Sequence, residues 1–233
     1  MSQGQANVNV PITNSAKVSC IFPGDYAACD EGSFFVSTLA ATASTAVACT
    51  TQALGDTNAV LGITNTATPG LNAYNIYLRY LKIVTTVVPG SNASINYSML
   101  VDNLTAKLTT TGTALGTPAN TNTNSSVLSK MVGYGGVNIA AAQTAQGRRV
   151  GAGQVLGGLG VALDETIFHF GQPVFGGDVN GTVTNIKRLS IPCAPVVIAP
   201  GWWFTLGLWG ASQAAIAASY SWEIGYIERP TGQ

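Results

Sequence analysis

Charge is what this sequence has least of. Only 9% of its 233 residues are Asp, Glu, Lys or Arg, against roughly 25% in an average soluble chain. Ten basic and ten acidic residues cancel to a formal net charge of zero. Phosphate backbones are held by clustered Lys and Arg. Here Arg148-Arg149 and Lys187-Arg188 are the only adjacent basic pairs, so no nucleic-acid partner is expected. Little charge also means little repulsion between copies, which favours association over dispersion.

Histidine is nearly absent. His169 is the only one, within Ile167-Phe-His-Phe170 and just after Asp164-Glu165. A metal centre needs several converging ligands, and one histidine offers little to start from. No Gly-x-Ser-x-Gly elbow accompanies it, so a Ser/His/Asp triad through Asp164 or Asp178 has no motif behind it. Paired carboxylates could serve glycoside hydrolysis. Asp30-Glu31, Asp164-Glu165 and Asp178 are conceivable members, yet their spacing singles out no pair. No catalytic residue, metal ligand or cofactor site is expected, and the chain does not read as an enzyme.

The four cysteines, Cys20, Cys29, Cys49 and Cys193, lack C-x-x-C spacing and any Cys/His zinc pattern. They read as reduced, partly buried small hydrophobes, with a Cys20–Cys29 bridge left open. Long apolar runs are missing as well. Val196 to Trp209 is broken by Pro200-Gly201 and is too short to cross a bilayer. The start, Met-Ser-Gln-Gly-Gln, lacks the basic and apolar regions of a signal peptide. No membrane partner is expected.

What is present is 46% hydrophobic residues, ample for a core, arranged with a period of two. Short strands are expected at Val8 to Ile12, Lys17 to Phe22, Ser33 to Leu39, Thr45 to Gln52 and Asn58 to Asn65. Pro23-Gly24-Asp25 reads as a turn. Tyr74 to Val88 is the strongest strand. Ile76, Leu78, Tyr80, Lys82 and Val84 alternate with Tyr77, Arg79, Leu81 and Ile83, and both faces are largely apolar. With Ser94 to Val101 it looks like a hairpin across Pro89-Gly90.

Residues 104–126 are dense in Thr, Asn, Gly and Ala and read as a long loop or arm. Gly151-Ala-Gly-Gln-Val-Leu-Gly157-Gly-Leu-Gly160 lacks the Gly-Lys-Ser/Thr ending of a phosphate-binding loop, so bulges or close backbone approach explain it better. Ala140 to Gln146 could make a helical turn or two. Further strands fall in Gly181 to Ile198 and Trp202 to Trp209. Ala211 to Ala218 reads as a connection. In the last strand Tyr220, Trp222, Ile224, Tyr226 and Glu228 fall in phase.

Short strands between Gly/Pro turns point to an all-β fold, a jelly-roll-like antiparallel β-sandwich with long loops or arms. The expected organisation is an N-terminal arm or strand over 1–16 and a single sandwich domain over 17–233. Trp202, Trp203, Tyr77 and Arg79 are the candidate interface residues. Tryptophan is enriched at interface hot spots, although core packing is the commoner fate of any one of them.

Two segments resemble virion proteins of tailed bacteriophages. One is Tyr77-Leu-Arg-Tyr-Leu-Lys-Ile-Val-Thr-Thr-Val-Val-Pro89 followed by Ile95-Asn-Tyr-Ser-Met-Leu-Val-Asp-Asn103. The other is Ala199-Pro-Gly-Trp-Trp-Phe-Thr-Leu-Gly-Leu-Trp209 followed by Tyr220-Ser-Trp-Glu-Ile-Gly-Tyr-Ile-Glu-Arg229. The resemblance implies a capsid decoration, cement or minor capsid protein, made in the host cytoplasm and located in the virion. Its partners would be the phage major capsid protein and copies of itself, a trimer being one arrangement. A major capsid or tail component and a receptor- or carbohydrate-binding module are the alternatives. The resemblance assigns no functional residues.

Overall fold

The computed structural model describes residues 6–11, 17–22, 24–39, 45–51, 61–70, 73–87, 95–103, 108–110, 112–139, 146–156, 164–171, 188–210 and 216–231. In chain order these hold β1 (Ala6–Pro11), β2 (Lys17–Phe22), α1 (Gly24–Asp30), β3 (Phe34–Thr38), β4 (Thr45–Thr51), β5 (Leu61–Asn65), β6 (Tyr74–Val87) and β7 (Ile95–Asp102). The short β8 (Leu108–Thr110), β9 (Thr113–Ala114), β10 (Ala119–Asn120), β11 (Met131–Gly135) and β12 (Asn138–Ile139) follow. Then come β13 (Arg148–Leu156), β14 (Glu165–Phe170), β15 (Arg188–Cys193), β16 (Val197–Ile198), β17 (Trp203–Gly210) and β18 (Ile216–Pro230).

The fold is an all-β, predominantly antiparallel sandwich. One layer centres on β18, which pairs with β6 on one side and with β3 and β4 on the other. β14 and then β15 extend it past β6, and β10 adds to β3. The other layer centres on β17, flanked by β7 with β13 beyond it, and by β5 with β11 and β9 beyond it. The chain passes from layer to layer at β5, β6 and β7, and again at β16, β17 and β18, the jelly-roll habit. β4 joins the layers directly, pairing with β18 through 45–49 and with β17 through 50–51. β1 and β2 pair only with each other, in a two-stranded sheet.

The core lies between the layers. Phe204, Leu206 and Leu208 of β17 face Leu81 and Ile83 of β6 and Trp222, Ile224 and Tyr226 of β18, all buried. Tyr97 meets Phe168 edge-on at 4.9 Å, and Phe170 meets Phe204 at 5.9 Å. The phase expected for the last strand holds: Tyr220, Trp222, Ile224, Tyr226 and Glu228 are all buried.

Several expectations are corrected. β6 and β7 are not a hairpin; each is flanked in its own layer by other strands. A Pro-Gly turn fits a layer-to-layer crossing as well as a hairpin, so the local signal could not choose. The two faces of β6 also switch midway. Leu78 pairs with Tyr226 while Tyr80 pairs with the adjacent Gly225. Arg79 is therefore an extra residue, a β-bulge that inverts the alternation. Ile76 and Leu78 point inward before it, Leu81 and Ile83 after it.

The expected turn at Pro23-Gly24-Asp25 opens a helix instead. α1 starts with Asp25 in its first turn, favourable at that end of a helix, and continues through Ala27-Ala28. Gly32 closes it at φ +70; Ser33 N–H donates to Ala28 O at 2.9 Å and Gly32 N–H to Cys29 O at 3.0 Å. This is a Schellman cap, which favours glycine. Seven residues are too few for a helical period to register.

Other expectations fare as follows. The first part of the glycine run, 151–156, lies on β13, whose register shifts twice against β7, and 157–160 lie outside the described residues. A Cβ at Gly153 would lie 2.9 Å from the Tyr97 ring, so close approach explains that glycine. β18 begins at Ile216, inside the expected connection. Residues 140–145, the possible helical turn, lie outside the described residues. Cys29 and Cys193 are free thiols; the side chain of Cys20, the other half of the bridge left open, lies outside the described residues.

Candidate interaction surfaces

No group of three or more His, Cys, Asp or Glu among the described residues could hold a metal, and no helix among them is long and apolar enough to cross a membrane. His169 is half-buried on the outward side of β14, and burial lowers its pKa.

The outer face of the β18 layer has an apolar end and a charged end. At the apolar end, Phe34 of β3, Ile227 of β18 and Tyr77 of β6 stand in adjacent register. α1 lies across them through Ala28 and Cys29. Arg79, put in place by the bulge, reaches Asp25 of α1 at 2.7 Å. Tyr77 and Arg79, two of the candidate interface residues, thus hold the helix onto its sheet. At the charged end, Glu165 lies 3.3 Å from Lys82 and 2.7 Å from Arg188. Burial pushes its carboxyl up, but the two cations more than offset that and hold it below the ordinary carboxylate range. Between the two ends the Tyr80 ring lies flat over Gly225, where a Cβ would come within 2.1 Å of it. The Tyr80 hydroxyl donates to Glu223 at 2.9 Å. Burial first, and Glu223 second, raise the pKa of that phenol.

The outer face of the β17 layer is different in kind. Thr64, Thr205, Gly207, Ser98, Asn96 and Ala152 alternate with the core residues of β5, β17, β7 and β13. Leu100 and Asp102, opposite Thr205 and Trp203, and Arg149, opposite Leu100, stand on the same face, and Thr205, Leu100 and Asp102 are buried there. Trp203 stands at one end of this face, between Thr64 and Asp102, half-buried. Trp202 precedes the strand at the corner between layers and packs on the core. The two indoles therefore do not form one platform. The side chain of Trp209 lies outside the described residues.

Two polar hubs lock these surfaces in place, and sequence reasoning named neither. Asn65, fully buried, donates from Nδ2 to Tyr74 O at 2.7 Å and Ile198 O at 2.9 Å, while its Oδ1 accepts from Ala67 N–H at 3.0 Å. A buried amide so satisfied ties β5 of one layer to β6 and β16 of the other. Glu228, only 4% exposed, accepts from Ser129 Oγ at 2.6 Å and Lys130 N–H at 2.8 Å. Ser129 Oγ also meets the Tyr226 hydroxyl at 2.6 Å. Burial raises the Glu228 pKa, with Ser129 and the backbone of Lys130 and Met131 partly offsetting it. The signal for Glu228 was present: a carboxylate in phase with Trp222 and Tyr226.

These bonds fix the Thr/Asn-rich stretch. From β9 it crosses to the β18 layer, where Gly116 N–H donates to Thr38 O at 2.8 Å and β10 adds to β3. Asn120 Nδ2 then donates to Gly32 O at 2.8 Å and Asn122 Nδ2 to Asp30 O at 3.0 Å. It returns through Ser129 to β11. The segment is extended and largely exposed, and it seals one lateral side of the sandwich.

No protein-family model and no curated protein matches the chain. Among solved structures, an unassembled KI polyomavirus VP1 pentamer aligns over 98% of this chain and 100% of that one, at 13% identity and a TM-score of 0.27. The infectious bursal disease virus Gx strain structure aligns over 97% of this chain and 48% of that one, at 9% identity and a TM-score of 0.17. A T13 IBDV viral particle aligns over 99% and 45%, at 8% identity and a TM-score of 0.18. TM-scores this low do not define a shared fold.

Proposed function

We propose that this chain is a virion structural protein, a capsid decoration, cement or minor capsid protein of a tailed bacteriophage. It would act by binding the lattice of major capsid subunits and stabilising it. The observation that carries the reading is the outer face of the β17 layer, where the neutral side chains of Thr64, Asn96, Ser98 and Ala152 stand at least partly exposed on paired strands. Such a face suits close contact between rigid bodies and has no groups for chemistry. The phage-like segments at 77–103 and 199–229 add to the reading, since they form the central strands of both layers.

Contact through uncharged groups has a distinctive signature, because salt screens charge pairs and leaves apolar and neutral polar contacts largely untouched. Purified protein mixed with undecorated capsids should bind saturably, persist in 1 M salt at about unchanged occupancy, and raise the temperature at which the capsids open. Absence of saturable binding would refute the reading. Binding that is competed by free glycans would favour the carbohydrate-binding alternative, and formation of shells by this chain alone would make it the major capsid component.

A further inference from the structure

In a chain with so few charges, the placement of the unpaired ones is informative. Most described charges are engaged internally: Arg79 with Asp25, Lys82 and Arg188 with Glu165, Arg229 with Glu31, and Lys130 in the field of Glu228. Asp30 and Arg148 are exposed and have no ion pair among the described residues. They stand on opposite lateral sides of the sandwich. Asp30 ends α1 at the side sealed by the Thr/Asn-rich segment, where Asn122 holds its backbone carbonyl. Arg148 opens β13, the outermost strand beyond β7. β7 faces β14 through Tyr97 and Phe168, which puts β13 on the side away from β3.

The Asp30 side also carries the two most exposed large apolar side chains among the described residues, Leu128 and Tyr26. Tyr26 is 69% exposed and lies four residues before Asp30, on the same helix face. Val127 and Leu128, 50% and 77% exposed, follow the residues that Asn120 and Asn122 tie to Gly32 and Asp30. The β13 side offers Ala152 and Gly153, exposed and small.

We propose that the Asp30 side of one copy docks on the β13 side of a second copy. Asp30 then meets Arg148, and Tyr26, Val127 and Leu128 cover the flank of β13. Charge complementarity between two surfaces of the same chain selects a second copy as the occupant. The surfaces differ, so the contact is head-to-tail, and successive copies form a ring where the rotation closes. This rests on the structural role proposed above and names the self-contact that role requires.

Charge reversal tests it on the full-length protein by sedimentation velocity over a concentration series at low salt. Wild type should associate. Asp30→Arg and Arg148→Asp should each weaken association by about tenfold or more, while the double reversal D30R/R148D should restore it to within about threefold. Thermal unfolding of each variant verifies folding, and Asp30→Asn should fall between wild type and reversal. Single reversals that leave association unchanged, or a folded double variant that stays dissociated, would overturn the proposal. A wild type that is monomeric throughout yet still coats capsids overturns this contact and leaves the structural role standing; failure of both overturns both.

Discussion

The outer faces of the two layers differ in strand length and in chemistry: β6 and β18 run 14 and 15 residues, β7 and β17 eight each. On the β18 layer the outward side chains are large or charged, and they are spent on one another. Tyr77 and Arg79 clamp α1, Tyr80 covers Gly225 and reaches Glu223, and Glu165 sits between Lys82 and Arg188. On the β17 layer the partly exposed outward side chains of Thr64, Asn96, Ser98 and Ala152 are small and neutral, while Thr205, Leu100 and Asp102 are buried on the same face. Polar groups that satisfy each other inside a chain contribute to its stability, while exposed neutral side chains are available to another molecule. The first face is thus read as self-stabilising and the second as the contact face.

That contrast can be broken in graded ways. The largest effect should come from Asn65, which holds both layers: Asn65→Ala leaves buried backbone groups of Tyr74, Ile198 and Ala67 unpaired and should cost about 3 kcal/mol in urea unfolding. On the β18 face, Gly225→Ala drives a methyl into the Tyr80 ring and should cost about 2 kcal/mol. Tyr80→Ala in the same chain should recover most of that, a coupling that additive effects would not give. On the β17 face, Ser98→Lys with Ala152→Lys should change stability by no more than about 0.5 kcal/mol, yet reduce capsid binding about tenfold or more. Lys82→Met on the other face should do the reverse, costing about 0.5 kcal/mol with binding unchanged.

Acid titration separates an inner carboxylate from an outer one with opposite signs. Glu228 holds its proton more tightly folded than unfolded. Its favourable contribution is present below the unfolded value and is lost as pH rises through the higher folded one. Glu165 is held below its unfolded value, so its contribution is present above that value and lost as pH falls. From the ordinary value of 4.5 toward neutral pH, Glu228→Gln should gain stability relative to wild type. Glu165→Gln should lose it over the same range. Thermal melts at several pH values read both.

Much of the architecture was legible because strand alternation reports directly which side is buried. The final strand, the Pro200-Gly201 corner and the Trp203 to Leu208 run follow from it. What was not legible arises from events that leave the local pattern unchanged. A one-residue bulge at Arg79 swaps the faces of β6 without altering its composition, so Tyr77 and Arg79 could be named but not given a role. The partner of β6 is β18, far along the chain, and no turn signal encodes it. α1 is too short to have a period, though Asp25, Ala27-Ala28 and Gly32 outline it in hindsight. Alternation puts Trp202 and Trp203 on opposite faces but does not say which faces the core; Trp202 precedes the strand at a corner and packs on the core, while Trp203 opens β17 on its outward side.

The central claim is that the chain works by coating a particle surface. On the proposed phage origin, quantitative mass spectrometry of purified particles tests this most directly. The account predicts that the chain is present in a fixed, high ratio to the major capsid protein and remains after washing in high salt. Its absence from washed particles would contradict the account.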